Sequence, residues 1–308
     1  MANKRIDEPT GVETMGHEWD GIEELNNPLP RWWVITTYLT IIFAIGYMIV
    51  YPAIPLLHSG TEGLWGWSSR GQLDAELKAA KDAKAETLAA IAATPIEQIS
   101  GNKDLLNKAI AGGKAAFRQN CVQCHGSGAN GSIGYPSLKD DDWLWGGNIK
   151  EIEQTLTYGI RQPGVAETRM SQMPSFGKDG ILAPAEVNNV ASYVLSLSGA
   201  APNDASAQAG AAIFAANCVA CHGPDAKGNR QFGAPNLTDK VWLYGGKKEQ
   251  VVGSITNAHA GVMPAWGGRL DPVTIKMLAL YVHSLGGGED FVEAPNTPAA
   301  ADTGNAKP

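Results

Sequence analysis

After Gly113 one order of motifs occurs twice, and this tandem repeat constrains the fold more than any other feature. Gly113-Lys-Ala-Ala-Phe-Arg-Gln-Asn-Cys121 aligns with Gly210-Ala-Ala-Ile-Phe-Ala-Ala-Asn-Cys218. Gly134-Tyr-Pro-Ser-Leu138 then matches Gly233-Ala-Pro-Asn-Leu237, and Trp143-Leu-Trp-Gly-Gly147 matches Trp242-Leu-Tyr-Gly-Gly246. Met173-Pro174-Ser-Phe-Gly177 corresponds to Met263-Pro264-Ala-Trp-Gly267, and Tyr193-Val-Leu-Ser-Leu197 to Tyr281-Val-His-Ser-Leu285. The period is roughly 85–95 residues, so each copy is long enough to be a small domain, and two copies make a domain pair rather than a solenoid.

Each copy carries one Cys-x-x-Cys-His, at Cys121-Val-Gln-Cys124-His125 and Cys218-Val-Ala-Cys221-His222, and the two together use every cysteine in the chain. This is the attachment pattern of c-type haem: two thiols form thioethers with the haem vinyl groups and the histidine ligates the iron. A zinc site would need two further thiols or imidazoles nearby. A thioredoxin-like pair would follow a strand, whereas Ala-rich helical runs, Gly113–Asn120 and Gly210–Asn217, lead into these cysteines. Structural disulfides would leave the following histidine unexplained twice. The expectation is two covalently bound haem c groups, on Cys121 and Cys124 and on Cys218 and Cys221, with His125 and His222 as axial ligands.

Both copies read as helices joined by Gly/Pro-rich loops. In the last helix of each, Val187, Val190, Ala191, Val194 and Leu197, then Ile275, Leu278, Val282 and Leu285, recur at helical spacing. Each last helix is expected to pack back across the cysteine-bearing helix of its own copy. The pattern resembles the class I cytochrome c fold over Leu106–Gly286, and that resemblance implies a distal ligand in a loop before the last helix. His with Met is the ligation of electron-carrying cytochromes c. Of seven methionines, Met1, Met15 and Met48 precede the repeat and Met277 falls in a core helix. Met173 and Met263 align and each precedes Pro, which favours them as distal ligands; Met170 is the rival to Met173. A haem-ligating His donates its other ring N–H to a fixed acceptor. In cytochromes c a proline carbonyl fills that role, which Pro136 and Pro235 fit unless they are ordinary turn prolines. Trp143, Trp145, Trp242 and Tyr244 suit either a haem wall or plain core packing. His259 and His283 are expected to be ordinary histidines, and with Met on each iron no catalytic site is expected in this chain.

Before the repeat, Trp32 to Tyr51 is an uncharged apolar run of 20 residues inside a stretch without charge from Trp32 to Thr61. At about 1.5 Å per residue it can cross a hydrocarbon core of roughly 30 Å. Trp32, Trp33 and Tyr51 lie where interfacial aromatics belong. The run is too long for a signal-peptide core and is followed by Pro52-Ala-Ile-Pro55, so an uncleaved single-pass anchor in the lipid bilayer is expected. Lys4, Arg5 and Arg31 precede it while only Arg70 follows closely, which sets the N-terminus in the cytoplasm and the repeat in the periplasm of a bacterial inner membrane. Covalent haem c attachment on that outer side agrees. Of the net charge of −7, most lies in the first thirty residues and after Leu285, leaving the body near neutral with no basic patch for nucleic acid. Gln72–Ile91 reads as an Ala-rich surface helix with Asp74/Lys78 and Lys78/Asp82 pairs.

His17-Glu-Trp-Asp-Gly-Ile-Glu-Glu-Leu-Asn-Asn-Pro-Leu-Pro-Arg-Trp-Trp33, running straight into the apolar span, resembles the start of CcoP/FixP, the dihaem subunit of cbb3-type cytochrome c oxidases. That family implies electron entry from periplasmic cytochrome c or the bc1 complex. Transfer then runs through a monohaem cytochrome c subunit to a haem-copper catalytic subunit that reduces oxygen and pumps protons. The expected architecture is all-α: one N-terminal transmembrane helix followed by two tandem class I cytochrome c domains. Its segments are a cytoplasmic segment (1–31), an anchor (32–57), a spacer helix (58–105), cytochrome domains (106–200 and 205–287) and a disordered tail (288–308). A self-standing tethered dihaem carrier, or the cytochrome arm of a periplasmic dehydrogenase, is the competing reading.

Overall fold

The computed structural model describes residues 4–290. The chain divides into two compact units, Met1–Ala83 and Lys84–Pro308. The first opens with an antiparallel hairpin of β1 (Thr14–Trp19) and β2 (Ile22–Leu25), in which Trp19 faces Ile22. Asp20 and Gly21 join the strands with φ of 48° and 84°. Positive φ at both central residues is the turn whose twist matches paired strands. Helix α1 (Arg31–Val50) follows directly; it is 20 residues long with mean hydropathy 2.0, and none of its residues is buried by the described chain. It is the membrane anchor. Tyr51 at its end stacks on Tyr47 at 4.6 Å and meets Trp65 and Trp67 edge-on at 5.1 and 5.7 Å.

Helix α2 (Ser69–Ala93) carries the Lys78–Asp82 pair at 2.6 Å expected of a solvated face. Its far end is no longer a surface helix, because Ile91 is fully buried. The ammonium of Lys276 donates there to the carbonyls of Ile91, Ala92 and Thr94, at 3.1, 3.3 and 2.8 Å. Such carbonyls lack helical partners at a C-terminus and attract a cation.

The haem-motif body runs α3 (Ile96–Ile99), α4 (Lys103–Asn120), α5 (Val122–His125), α6 (Ile149–Tyr158), α7 (Pro184–Leu197), α8 (Ala205–Asn217), α9 (Val219–His222), α10 (Lys248–Asn257) and α11 (Pro272–His283). Side chains stop the longer helices at their N-termini. Asn102, Asn148, Asp204 and Asp271 accept from the free N–H groups of α4, α6, α8 and α11. Pro184 and Pro272 open α7 and α11 at a position where a missing N–H costs nothing.

The order of packing departs from the expectation that each copy closes on itself. Helix α11, from the end of the second copy, packs on α4 and α6 of the first; α7, from the end of the first, packs on α8 and α10 of the second. One apolar cluster therefore unites Phe117, Cys121, Ile152 and Leu156 with Ile275, Leu278 and Val282. The other unites Val187, Val190 and Val194 with Phe214, Cys218, Val251 and Ile255. Two apolar lobes result, each drawing on both copies: one is built from 96–160 with 263–285, the other from 173–258. The reason is that aligned positions carry equivalent side chains. A Cβ on Gly113 would strike the backbone of Met277 and Tyr281 Cβ, and one on Gly210 the backbone of Asn189 and Tyr193 Cβ. Phe117 meets Tyr281 and Tyr193 meets Phe214 at the same centroid separation of 5.3 Å. Either closure buries the same surfaces, so exchange of equivalent elements costs little.

Beyond α11 the chain is pinned at least to Glu289, inside the segment expected to be tail. Glu289 accepts from Gly147 N at 2.8 Å and pairs with Arg230, while its carbonyl accepts from His283 Nε2 at 2.8 Å. The rest of that expected tail, from 291 on, lies outside the described residues.

Candidate haem-binding sites

Each Cys-x-x-Cys-His forms one helical turn at the end of a longer helix. Cys121 closes α4, and His125 N donates back to the Cys121 carbonyl at 2.9 Å; Cys218 and His222 repeat this at 2.9 Å. Gly126 and Gly223, with φ of 79° and 78°, stop the turn. The first cysteine of each pair is buried, whereas Cys124 is exposed and Cys221 half-buried. Burial pushes the Cys121 and Cys218 thiols up to about 11.

The loops after these turns fix the histidines. His125 Nδ1 donates to the Pro136 carbonyl at 3.0 Å and His222 Nδ1 to the Pro235 carbonyl at 3.1 Å. Nε2 is then the nitrogen left to act as a ligand. Burial lowers both imidazole pKa values, opposed by the hydrogen bond to the proline carbonyl.

Among the methionines, Met277 is a core residue, 8% exposed, and Met170 is 67% exposed. Met173 and Met263 are half-buried, and each packs on an apolar cluster, though not on that of its own copy. Met263 lies against the cluster holding Cys121 and Met173 against the one holding Cys218. Trp143 and Trp242 pack on these same clusters, and Trp143 Nε1 donates to the Gly287 carbonyl. Trp145 lies against Gly233 and Tyr244 against Gly134, so each touches the loop that carries the other copy's proline acceptor. His259 stacks on Tyr244 at 3.7 Å, and neither it nor His283 joins the cysteine turns.

Two arginines escaped the sequence reading. Arg169 packs 5.4 Å over the Trp145 ring, pairs with Glu151, and donates to Thr155 Oγ1 at 2.9 Å. Arg161, at φ 51°, donates to the Gly261 carbonyl at 2.7 Å and the Ser171 carbonyl at 3.0 Å. The one available signal was length: the segment from Trp143 to Met173 is longer than that from Trp242 to Met263, and Arg169 lies in the excess, whereas Arg161 stands where the second copy has Ala260.

Comparison with known proteins finds matches to successive segments of the chain. Residues 11–58 match the family described as the N-terminal domain of cytochrome oxidase-cbb3, FixP. Residues 110–198 match cytochrome c, and 205–282 match cytochrome c oxidase, cbb3-type, subunit III. The chain is 55% identical over 288 residues to the cbb3-type cytochrome c oxidase subunit FixP of Bradyrhizobium sp. (strain ORS 278), covering 93% of this chain and 99% of the relative. It is 52% identical to FixP of Rhizobium meliloti (strain 1021), covering 93% and 99%. Against subunit CcoP of Cereibacter sphaeroides the identity is 50%, covering 91% and 97%.

Proposed function

Because the chain belongs to the FixP/CcoP family of cbb3-type cytochrome c oxidase subunits, we propose that it is the dihaem electron-entry subunit of such an oxidase. It is a membrane-anchored cytochrome c subunit that works with the oxidase's catalytic subunit. Cys121 with Cys124 and Cys218 with Cys221 attach two haem c groups; His125, His222, Met173 and Met263 are the axial ligands. The observation that carries this reading is the pairing of each cysteine turn with a histidine whose Nδ1 is already engaged by Pro136 or Pro235. That bond orients each ring and leaves a single nitrogen for iron. A bound haem supplies one-electron exchange, and the protein tunes it through the axial ligand and the burial of the site.

The N-terminus is cytoplasmic and the lobes periplasmic, a reading supported by the excess of Lys and Arg before α1. Electrons enter from a periplasmic cytochrome c or the bc1 complex. They pass through the monohaem subunit to the haem-copper subunit, which reduces oxygen and pumps protons. A tagged chain drawn from native membranes in mild detergent is expected to bring b-type haem, copper and oxygen consumption with it, and to hold two haem c per chain. Recovery of a lone dihaem protein, with other respiratory complexes intact, would make it a tethered carrier instead.

A further inference from the structure

The segment after the membrane anchor folds back onto the anchor's last turn. Leu64 N and Trp65 N donate to the carbonyls of Ile49 and Val50, at 3.0 and 3.2 Å. Carbonyls so close to a helix C-terminus lack partners within the helix, and an unpaired one at the edge of hydrocarbon is costly. Gly63 permits the approach: its φ is 71°, and a Cβ there would strike the Val50 carbonyl. The capping residues therefore lie at the depth of the final turn of α1, where Trp65 and Trp67 meet Tyr51 edge-on. Aromatic rings with a polar edge concentrate at that level of a bilayer. Between the span and this cap, residues 53–61 form a small loop. Thr61 Oγ1 accepts from Ala53 N and Ile54 N, both at 3.1 Å, and Thr61 N donates to the Ile54 carbonyl at 3.0 Å. Leu56 N donates to the Ser59 carbonyl at 2.6 Å and closes the tip. Pro52 and Pro55 have no N–H, so from Pro52 to Leu56 every backbone donor is either absent or bonded.

We propose that this loop is a membrane foot, which lays Leu56 and Leu57 into the interfacial layer of the leaflet at the C-terminal end of α1. Leu57 is 97% exposed at the tip, and Ile54 and Leu56 beside it are exposed as well. Lipid is the occupant of this apolar tip for two reasons. The loop is continuous with the span and bonded to its last turn, and its backbone donors are satisfied internally, as a low-dielectric surrounding demands. No Lys, Arg, Asp or Glu occurs from Trp32 to Thr61, so the foot holds by burial of apolar surface and not by attraction to anionic headgroups. Trp67 Nε1 donates to Gln72 Oε1 and Gly71 N to Ser68 Oγ, both at 3.0 Å, which ties the foot to the first turns of α2. Helix α2 thus starts from a platform held at two points, span and loop, where a span alone would leave a swivel.

The test uses the full haem-loaded chain in phosphatidylcholine vesicles. With the native cysteines taken up as haem thioethers, an introduced cysteine is the free thiol that accepts a nitroxide label. Three sites are compared: Phe43→Cys within the span, Leu57→Cys at the tip, and Lys81→Cys on the solvated face of α2. Collisions with oxygen report on lipid, and collisions with a water-soluble nickel chelate report on water. The oxygen-to-nickel ratio is expected to be several-fold higher at 57 than at 81, and highest at 43. A ratio at 57 equal to that at 81 overturns the foot. If the label at 43 also reads as aqueous, α1 does not cross the membrane, and the foot falls with the anchor on which it rests. In the intact oxidase, a label at 57 sheltered from both oxygen and nickel would mean that a protein surface covers the tip, which also overturns the proposal. Adding phosphatidylglycerol to the vesicles is expected to leave the ratio at 57 unchanged; a rise would contradict the apolar mode of binding. Thr61→Val, which removes the acceptor of two loop amides, is expected to move the label at 57 toward water. No movement would remove Thr61 from its role in shaping the loop.

Discussion

The β-carbon of Tyr281 rests on Gly113, so a helix from the end of the repeat is closed onto one from its beginning. The approach leaves no room for a side chain, because the Met277 backbone occupies the same space. Gly113→Ala is therefore expected to cost about 1–3 kcal/mol, the usual range for overpacking a tight contact. Gly253 in α10 has nothing within 4 Å of a Cβ. Gly253→Ala should instead gain about 0.5–1 kcal/mol through helix propensity. Denaturant midpoints of the haem-loaded chain, wild type against each variant, measure the contrast.

Lys276 reaches from α11 to three carbonyls at the end of α2. Hydrogen bonds from a charged donor are worth more than neutral ones, and their loss leaves the helix end unpaired. Lys276→Met is expected to cost about 1.5–3 kcal/mol. Faster amide hydrogen exchange concentrated between Leu88 and Thr94 would locate the loss there; uniform change along α2 would contradict it.

Burial, and then Asp239, Asp140 and Asp141, raise the Asp142 carboxyl from its ordinary 3.8 to about 6, with Arg230 opposing. The folded chain then holds this proton more tightly than the unfolded one. The resulting stability is present at low pH and is lost as pH rises from about 4 to about 6. Asp142→Asn should flatten that part of the stability profile and leave the chain more stable than wild type near neutrality. Denaturation midpoints between pH 4 and 8 would check the sign.

The hairpin before α1 presents Trp19 and Ile22, cross-strand neighbours that are 67% and 71% exposed. Cross-strand partners share a face, so they form a small apolar pair beside the turn. A chain carrying Trp19→Ala and Ile22→Ala, or a scrambled 19–30 segment, is expected to attach haem normally yet recover less b-type haem and copper in pull-down. Undiminished recovery would remove this segment from assembly.

Much of the fold was legible because it rests on local chemistry. The cysteine turns need one spacing, the anchor needs length without charge, and Val187, Val190, Ala191 and Val194 point inward because helical geometry puts them on one face. The hairpin went unread in an all-α expectation, although Asp20-Gly21 is the dipeptide that both positive φ values favour. Glu289 was not legible, since a glutamate among glycines carries no mark of Arg230 as its partner. The exchange of closing helices could not be read from the repeat at all. Gly113 and Gly210, or Tyr193 and Tyr281, are interchangeable partners by type. The choice between them lies in the crossovers, where Ile160, Met263 and Arg161 meet.

That topology sets an order of completion during synthesis. The lobe built from 173–258 is contiguous, and all its helices are available once α10 has emerged. The lobe whose cysteines come first must wait, open along the face of α4 and α6, until α11 arrives from the far end of the chain. Contacts between partners so distant in sequence form late and are entropically expensive to reach. The earlier cysteine pair thus belongs to the later-finished lobe, and for that interval Phe117, Leu156 and the Cys121 turn stand exposed to whatever handles the newborn chain.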